Sequence, residues 1–180
     1  MASNYIELFG DTISTSGITD AGSMFFKYEN KNVPFDINCS TTTTLSLSNM
    51  FERSLIELAP NINDAKPNSI SSIFYTCNYL REIPDDFGVN WNWDYLHTYN
   101  YGNCSELFRN CFSLRKIPAT FISNGYSGSD SSYYSCYYNT FIYCSTLDEI
   151  NGLAVVPVTL TSNCFFSTFS LCSRLKDLTF

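Results

Sequence analysis

The chain carries eight cysteines but a single histidine, His97. One histidine cannot build a multi-histidine metal site. A Cys–His nucleophile pair is the hydrolytic arrangement that the inventory leaves. His97, however, lies in a stripe of aromatic residues, and the cysteines occupy structural-looking positions. Cys77, Cys111, Cys144 and Cys172 share one place in a repeated pattern; Cys104, Cys136 and Cys164 lie seven or eight residues before the last three, and Cys39 stands alone. No C-x-x-C pair occurs, which argues against a zinc knuckle. Adjacent Asp85-Asp86 and Asp148-Glu149 would point to opposite faces of a strand, so a glycosidase-type carboxylate pair has no positive signal. Neither G-x-G-x-x-G nor G-x-x-x-x-G-K is present, and nucleotide-binding loops are unsupported. The expectation is a protein without catalytic residues, metal ligands or cofactor.

The side chains suited to binding are aromatic. Trp91, Trp93, Tyr95, His97, Tyr99 and Tyr101 alternate with Asn92, Asp94, Leu96, Thr98 and Asn100. A period of two places the six rings on one face of an extended segment. That face either covers the core or stands exposed as a platform for sugar rings or a protein partner. A second stretch, residues 123–138, mixes Ser and Gly with Tyr126, Tyr133, Tyr134, Tyr137 and Tyr138. Tyr, Ser, Gly and Asn together make adaptable recognition surfaces.

What positions these residues is a repeat. The pattern F-x-x-C-x-x-L-x-x-[IL] occurs without gaps at Phe74–Ile83, Phe108–Ile117, Phe141–Ile150 and Phe169–Leu178. A degenerate copy precedes them at Phe51, Leu55, Leu58, Pro60 and Ile62. One unit cannot bury its own apolar residues, whereas stacked units place equivalent side chains in columns. Apolar residues four and one before each Phe, such as Leu47/Met50 and Ile70/Ile73, suit a helical turn. The Leu-x-x-Ile part suits a short strand. Between its Leu and Ile the strand carries Arg81-Glu82, Arg115-Lys116, Asp148-Glu149 and Lys176-Asp177. Stacking sets many opposite charges side by side on a solvated face or a charged ligand face.

The motif resembles the BspA-like leucine-rich repeats over residues 45–180. That resemblance implies a leucine-rich-repeat solenoid, α/β or mainly β, with short parallel strands, helical or irregular outer segments and long insertions. It also implies a surface-exposed adhesion or binding role in bacteria, protists or viruses. Repeats of that family are near constant in length. Here successive Phe residues are 23, 34, 33 and 28 apart from Phe51 to Phe169, which marks insertions. Residues 1–44 lack the motif and read as an N-terminal cap or attachment segment, with strands at Tyr5–Asp11 and Met24–Tyr28. Residues 63–69 read as a loop.

Composition narrows the partners. Ten basic against seventeen acidic residues give a net charge of −7, which repels phosphate and argues against nucleic acid. Only 15% of residues are charged while 17% are aromatic, so the chain is not of the disordered type. No apolar run is long enough for membrane insertion. The first residues show no basic region followed by an apolar one. Retention in the cell, or release by lysis in a virus particle, is therefore expected, with buried, reduced thiols. The two Asn-Cys-Ser sequons, at Asn38 and Asn103, then read as chance.

The expected function is a non-catalytic, surface-displayed binding or adhesion module, in one version a virion structural or decoration protein recognising a cell surface or glycan. The alternatives are a bacterial scaffold that binds proteins through its strand face and a glycan-active enzyme. Phe165, Phe166, Phe169, Leu175, Leu178 and Phe180 would leave an apolar end, expected to pack on a second copy or an assembly partner.

Overall fold

The computed structural model describes residues 12–14, 18–33, 36–38, 44–91, 96, 105–118, 121, 137–150 and 165–175. Within them the repeated segments lie side by side as rungs, and equivalent side chains fall in register. Phe25, Phe51, Phe74, Phe108, Phe141 and Phe169 form one column, with neighbouring ring centroids 5.1, 5.6, 5.5, 5.5 and 5.6 Å apart and interplanar angles of 3–15°. Hydrogen-bonded strands are about 4.8 Å apart. Repeating one rotamer at that spacing forces near-parallel rings, and the longer centroid distances show the stack to be offset, the favoured geometry. Phe87 and Phe121 enter this column from the side. Phe121 meets Phe108 and Phe141 edge-on at 5.6 and 5.9 Å, and Phe87 meets Phe74 at 5.8 Å.

The backbone around each Phe is a run of tight turns. N–H groups bond within a rung to the carbonyl three residues back, as in Met50 to Leu47 and Cys77 to Phe74. Each rung holds two residues at positive φ, two before and two after its Phe: Ser23 and Lys27, Asn49 and Arg53, Ser72 and Thr76, Glu106 and Asn110, Asn139 and Tyr143, Ser167 and Leu171. None is glycine, so each is strained. The neighbouring rung compensates. The N–H of Asn49 donates to Ser71, Arg53 to Tyr75, Ser72 to Ser105, Thr76 to Arg109, Glu106 to Tyr138 and Asn110 to Ile142, all at 2.8–3.0 Å. The spacing that suggested a helical turn thus serves turns whose hydrogen bonds run between rungs rather than along a helix.

Short parallel strands accompany the turns. β1 (Thr12–Ser14) pairs with β2 (Asp36–Asn38), β3 (Leu45–Ser46) with β4 (Pro67–Ser69), and β5 (Lys116–Ile117) with β6 (Glu149–Ile150). Every pair is parallel, as is the isolated bridge of Leu58 with Glu82. Leu80, Ile83, Leu114, Ile117 and Leu147 are buried, while Ile150 and Leu175 are partly buried against the same core. Leu178 lies outside the described residues.

Four expectations are corrected. Met24–Tyr28 is not a strand but a rung, with Phe25 in the aromatic column, so the stack begins inside the segment 1–44. The loop expected over 63–69 ends in β4, which Pro67 opens. In the Phe51 rung the buried positions are Ile56 and Ala59, whereas Leu55 and Leu58 are exposed. Ser54 there takes the Cys position, three after its Phe, and this rung is one residue shorter after its Ser. The fourth correction concerns Trp91, described next.

Candidate functional site

The residues between Leu and Ile in the rungs of Phe74, Phe108 and Phe141 line one groove of about 540 Å³, together with Leu58, Ile83, Pro84 and Asp85: Arg81, Glu82, Arg115, Lys116, Asp148 and Glu149. Leu58 is half exposed, Pro84 partly exposed and Ile83 buried. These three are the apolar part of its lining, and charged side chains form the other walls. The walls are held in register by the backbone: Glu57 N–H bonds to Lys31 carbonyl, Arg81 to Glu57, Arg115 to Arg81 and Asp148 to Arg115, at 2.8–3.3 Å.

Ionic pairing along these walls is uneven. Lys31 Nζ sits 2.7 Å from Glu57 Oε1, and Arg81 Nη2 sits 3.7 Å from Glu57 Oε2. The hydrogen bond from Lys31, and then the Arg81 charge, hold the Glu57 carboxyl below its ordinary value. Asp148 pairs with Arg174 at 3.6 Å. Among the described residues, the charges of Arg115 and Lys116 have no ion-pair partner. Lys116 stands opposite Glu149 in the β5–β6 register, the opposite-sign neighbours expected from the sequence. Two adjacent cations of the groove lining are thus without an ion pair among the described residues.

The aromatic stripe divides differently. Trp91 is 5% exposed, its ring meets Phe87 edge-on at 5.0 Å, and its Nε1–H donates to the Ile62 carbonyl at 3.2 Å. Gly88, at φ 71° in the turn just before it, donates its N–H to Asn63 Oδ1 at 2.6 Å. Positive φ at this turn position is what glycine permits without strain. The start of the insertion is thus pinned to residues 62–63. Trp91 is a core residue: of the two readings left open for the aromatic face, this ring takes the core-covering one, and its candidate role as an exposed binding ring is corrected. Leu96, on the opposite face of the proposed alternation, is buried too. Trp93, Tyr95, His97, Tyr99, Tyr101, Tyr126, Tyr133 and Tyr134 lie outside the described residues. Replacing Trp91 by Phe should lower stability by about 1–3 kcal/mol through the orphaned Ile62 carbonyl, and by Ala about 3–5 kcal/mol. Urea unfolding measures both; a change under about 1 kcal/mol for the Ala variant would return the ring to the surface.

The cysteine column is structural chemistry. Cys77 Sγ–H donates to the Phe51 carbonyl at 3.0 Å, and Cys111, Cys144 and Cys172 donate to Phe74, Phe108 and Phe141 at 3.1 Å. All four are free thiols. Burial pushes the Cys77 thiol up to about 12 and the Cys172 thiol up to about 11; Cys111 and Cys144 are also raised well above the usual range, again chiefly by burial. The nucleophile is the thiolate, so these positions favour the unreactive form. Among the described residues no three His, Cys, Asp or Glu side chains converge as a metal site requires, and no helix is long and apolar enough to cross a membrane.

No protein-family model matches the chain, and neither a curated protein nor a solved structure matches it.

Proposed function

We propose that this chain is a non-catalytic binding module, a solenoid of the leucine-rich-repeat type, whose partner is a protein held along the strand face. The observation that carries the reading is the groove itself. Its lining joins apolar Leu58, Ile83 and Pro84 to charged side chains, the mixture of apolar and polar groups that protein interfaces use. The two cations without ion-pair partners, Arg115 and Lys116, favour a segment that brings carboxylates. A chain with net charge −7 would otherwise repel such a segment, so the local positive charge decides where it docks. The resemblance to BspA-like repeats adds the setting: display on a cell or virus particle, with adhesion as the outcome.

A peptide library displayed on phage tests this. It is selected against the wild-type chain and counter-selected against the double variant Arg115→Glu, Lys116→Glu. Acidic peptides should emerge whose affinity falls at least tenfold on the double variant, about 1.4 kcal/mol or more, and weakens with added salt. Both substitutions are at exposed positions, so the fold should hold, as circular dichroism would verify. Peptides that bind both chains alike would remove the groove as the site. Binding of glycans on an array, undiminished by the double variant, would move recognition to another surface.

A further inference from the structure

The two edges of the described stack are chemically complementary, and we propose that copies of this chain associate head to tail through them. This surface is separate from the strand-face groove.

The argument starts from the direction of the hydrogen bonds between rungs. In each rung, the N–H groups two before, at, and two after the Phe donate to carbonyls three before, one before and one after the Phe of the following rung. Ser23 donates to Ser48, Phe25 to Met50 and Lys27 to Glu52 at one end of the stack; Asn139 donates to Phe166, Phe141 to Thr168 and Tyr143 to Ser170 at the other. The pattern has a polarity, so its two edges differ. At the edge formed by residues 165–171, the N–H groups of Ser167, Phe169 and Leu171 have no acceptor among the described residues. At the opposite edge, the carbonyls of Gly22, Met24 and Phe26 have no donor among the described residues. Three donors spaced by two residues face outward at one end, and three acceptors spaced by two residues at the other.

The conformations match as well. Ser167 and Leu171 have φ of 52° and 62°, and Ser23 and Lys27 have φ of 58° and 57°. Throughout the rest of the stack, residues held at positive φ give their N–H to the next rung. Ser167 and Leu171 carry the same strain without that compensation. Exposed edges of this kind recruit strand-like partners, and the backbone that fits the ladder is another rung of the same shape. Apolar side chains border both edges: Phe166 and Leu171 are 53% and 56% exposed at one, Met24 and Phe26 37% and 41% at the other.

The register follows from the ladder. Ser167 N–H meets the Gly22 carbonyl of the second copy, Phe169 meets Met24, and Leu171 meets Phe26. Leu171 then lies beside Lys27 of that copy, since both stand two residues after their Phe. Such a contact joins unlike surfaces and does not close after two copies, so it generates a ring or a filament.

Sedimentation velocity of the full chain over a series of concentrations tests this. The weight-average sedimentation coefficient should rise with concentration past the dimer. Leu171→Lys, which sets two like charges together, should weaken association roughly tenfold, and Leu171→Lys combined with Lys27→Glu should restore it. Leu171 and Lys27 are both exposed, so the monomer should fold in each case. A monomer at every concentration, association that stops at a dimer, or association indifferent to Leu171→Lys would each overturn the proposal. The groove variant Arg115→Glu, Lys116→Glu should associate like wild type, so failure here is distinguishable from failure of the groove reading.

Discussion

Replacing Phe108 by Ala will cost about 3–5 kcal/mol of unfolding free energy, among the largest single losses open to this fold. Phe108 is fully buried in the middle of the column. Its ring stacks on Phe74 and Phe141 at 5.5 Å each, and takes Phe121 edge-on at 5.6 Å. Truncation opens a cavity between two rungs that are each held at a fixed spacing from the central one by backbone hydrogen bonds, so neither can move in to fill it. It also removes four aromatic pairs, with Phe74, Phe141, Phe121 and Phe87, each worth about 0.5–1.5 kcal/mol beyond burial. In a stack where each rung contacts only its neighbours, stability is largely a sum of nearest-neighbour terms. Loss of the central contact should therefore divide the molecule into two parts that unfold separately. A broadened or two-step urea transition is expected for Phe108→Ala, and a single, modestly shifted one for Phe108→Leu. If Phe108→Ala cost less than about 1 kcal/mol with one sharp transition, the column would not be what holds the rungs together.

Alkaline pH will unfold the protein through its thiols. The Cys77 thiol is pushed from 9.0 to about 12 and the Cys172 thiol to about 11, and Cys111 and Cys144 are also raised well above the usual range, chiefly by burial and then by the neighbouring cysteines. A thiol is neutral when protonated, so the folded state holds its protons more tightly than the unfolded chain does. Below pH 9 both states are protonated and the contribution is complete. Above pH 9 the unfolded chain releases protons first, and stability falls until the folded-state values are passed. For Cys77 alone, the interval from 9.0 to about 12 corresponds to about 4 kcal/mol. The physical loss is concrete: a thiolate buried beside the Phe51 carbonyl has no proton to donate to it. Urea midpoints measured from pH 8 to 11 should drop steeply for wild type. They should drop much less for a variant with Ser at all four positions, because a hydroxyl keeps the donor and does not titrate in that range. Ser54 already occupies the equivalent place in its own rung, within 3.3 Å of Cys77 Sγ. Equal slopes for the two proteins would remove the thiols as the cause of the alkaline loss.

The division between sequence and tertiary structure is plain in particular residues. The F-x-x-C-x-x-L-x-x-[IL] spacing by itself marks Phe74, Cys77, Leu80, Ile83 and their counterparts as interior. The reason is general: a unit too small to bury its own apolar side chains must bury them against copies of itself. The free state of Cys77, Cys111, Cys144 and Cys172 belongs with this, since a small apolar side chain at a repeated interior position needs no bond. The strand face was also legible, because the residues between Leu and Ile alternate out of the core.

Other features depend on contacts between rungs, which no local pattern encodes. The first rung was hidden because only Phe25 represents the motif there, with Tyr28 at the Cys position; stacking on Phe51 reveals it. Tight turns were read as a helical turn because positive φ usually announces itself through Gly or Asn. Here Ser, Lys, Arg, Thr, Glu, Tyr and Leu take up that conformation, and the N–H bonded to the next rung offsets the strain. Strict alternation left Trp91 free to face either way, and the carbonyl of Ile62, distant in sequence, settles it inward. The charges of the groove carried both signs in the sequence. Which of them pair was decided by three-dimensional competition: Lys31 and Arg81 converge on Glu57, Arg174 takes Asp148, and Arg115 and Lys116 have no ion pair among the described residues.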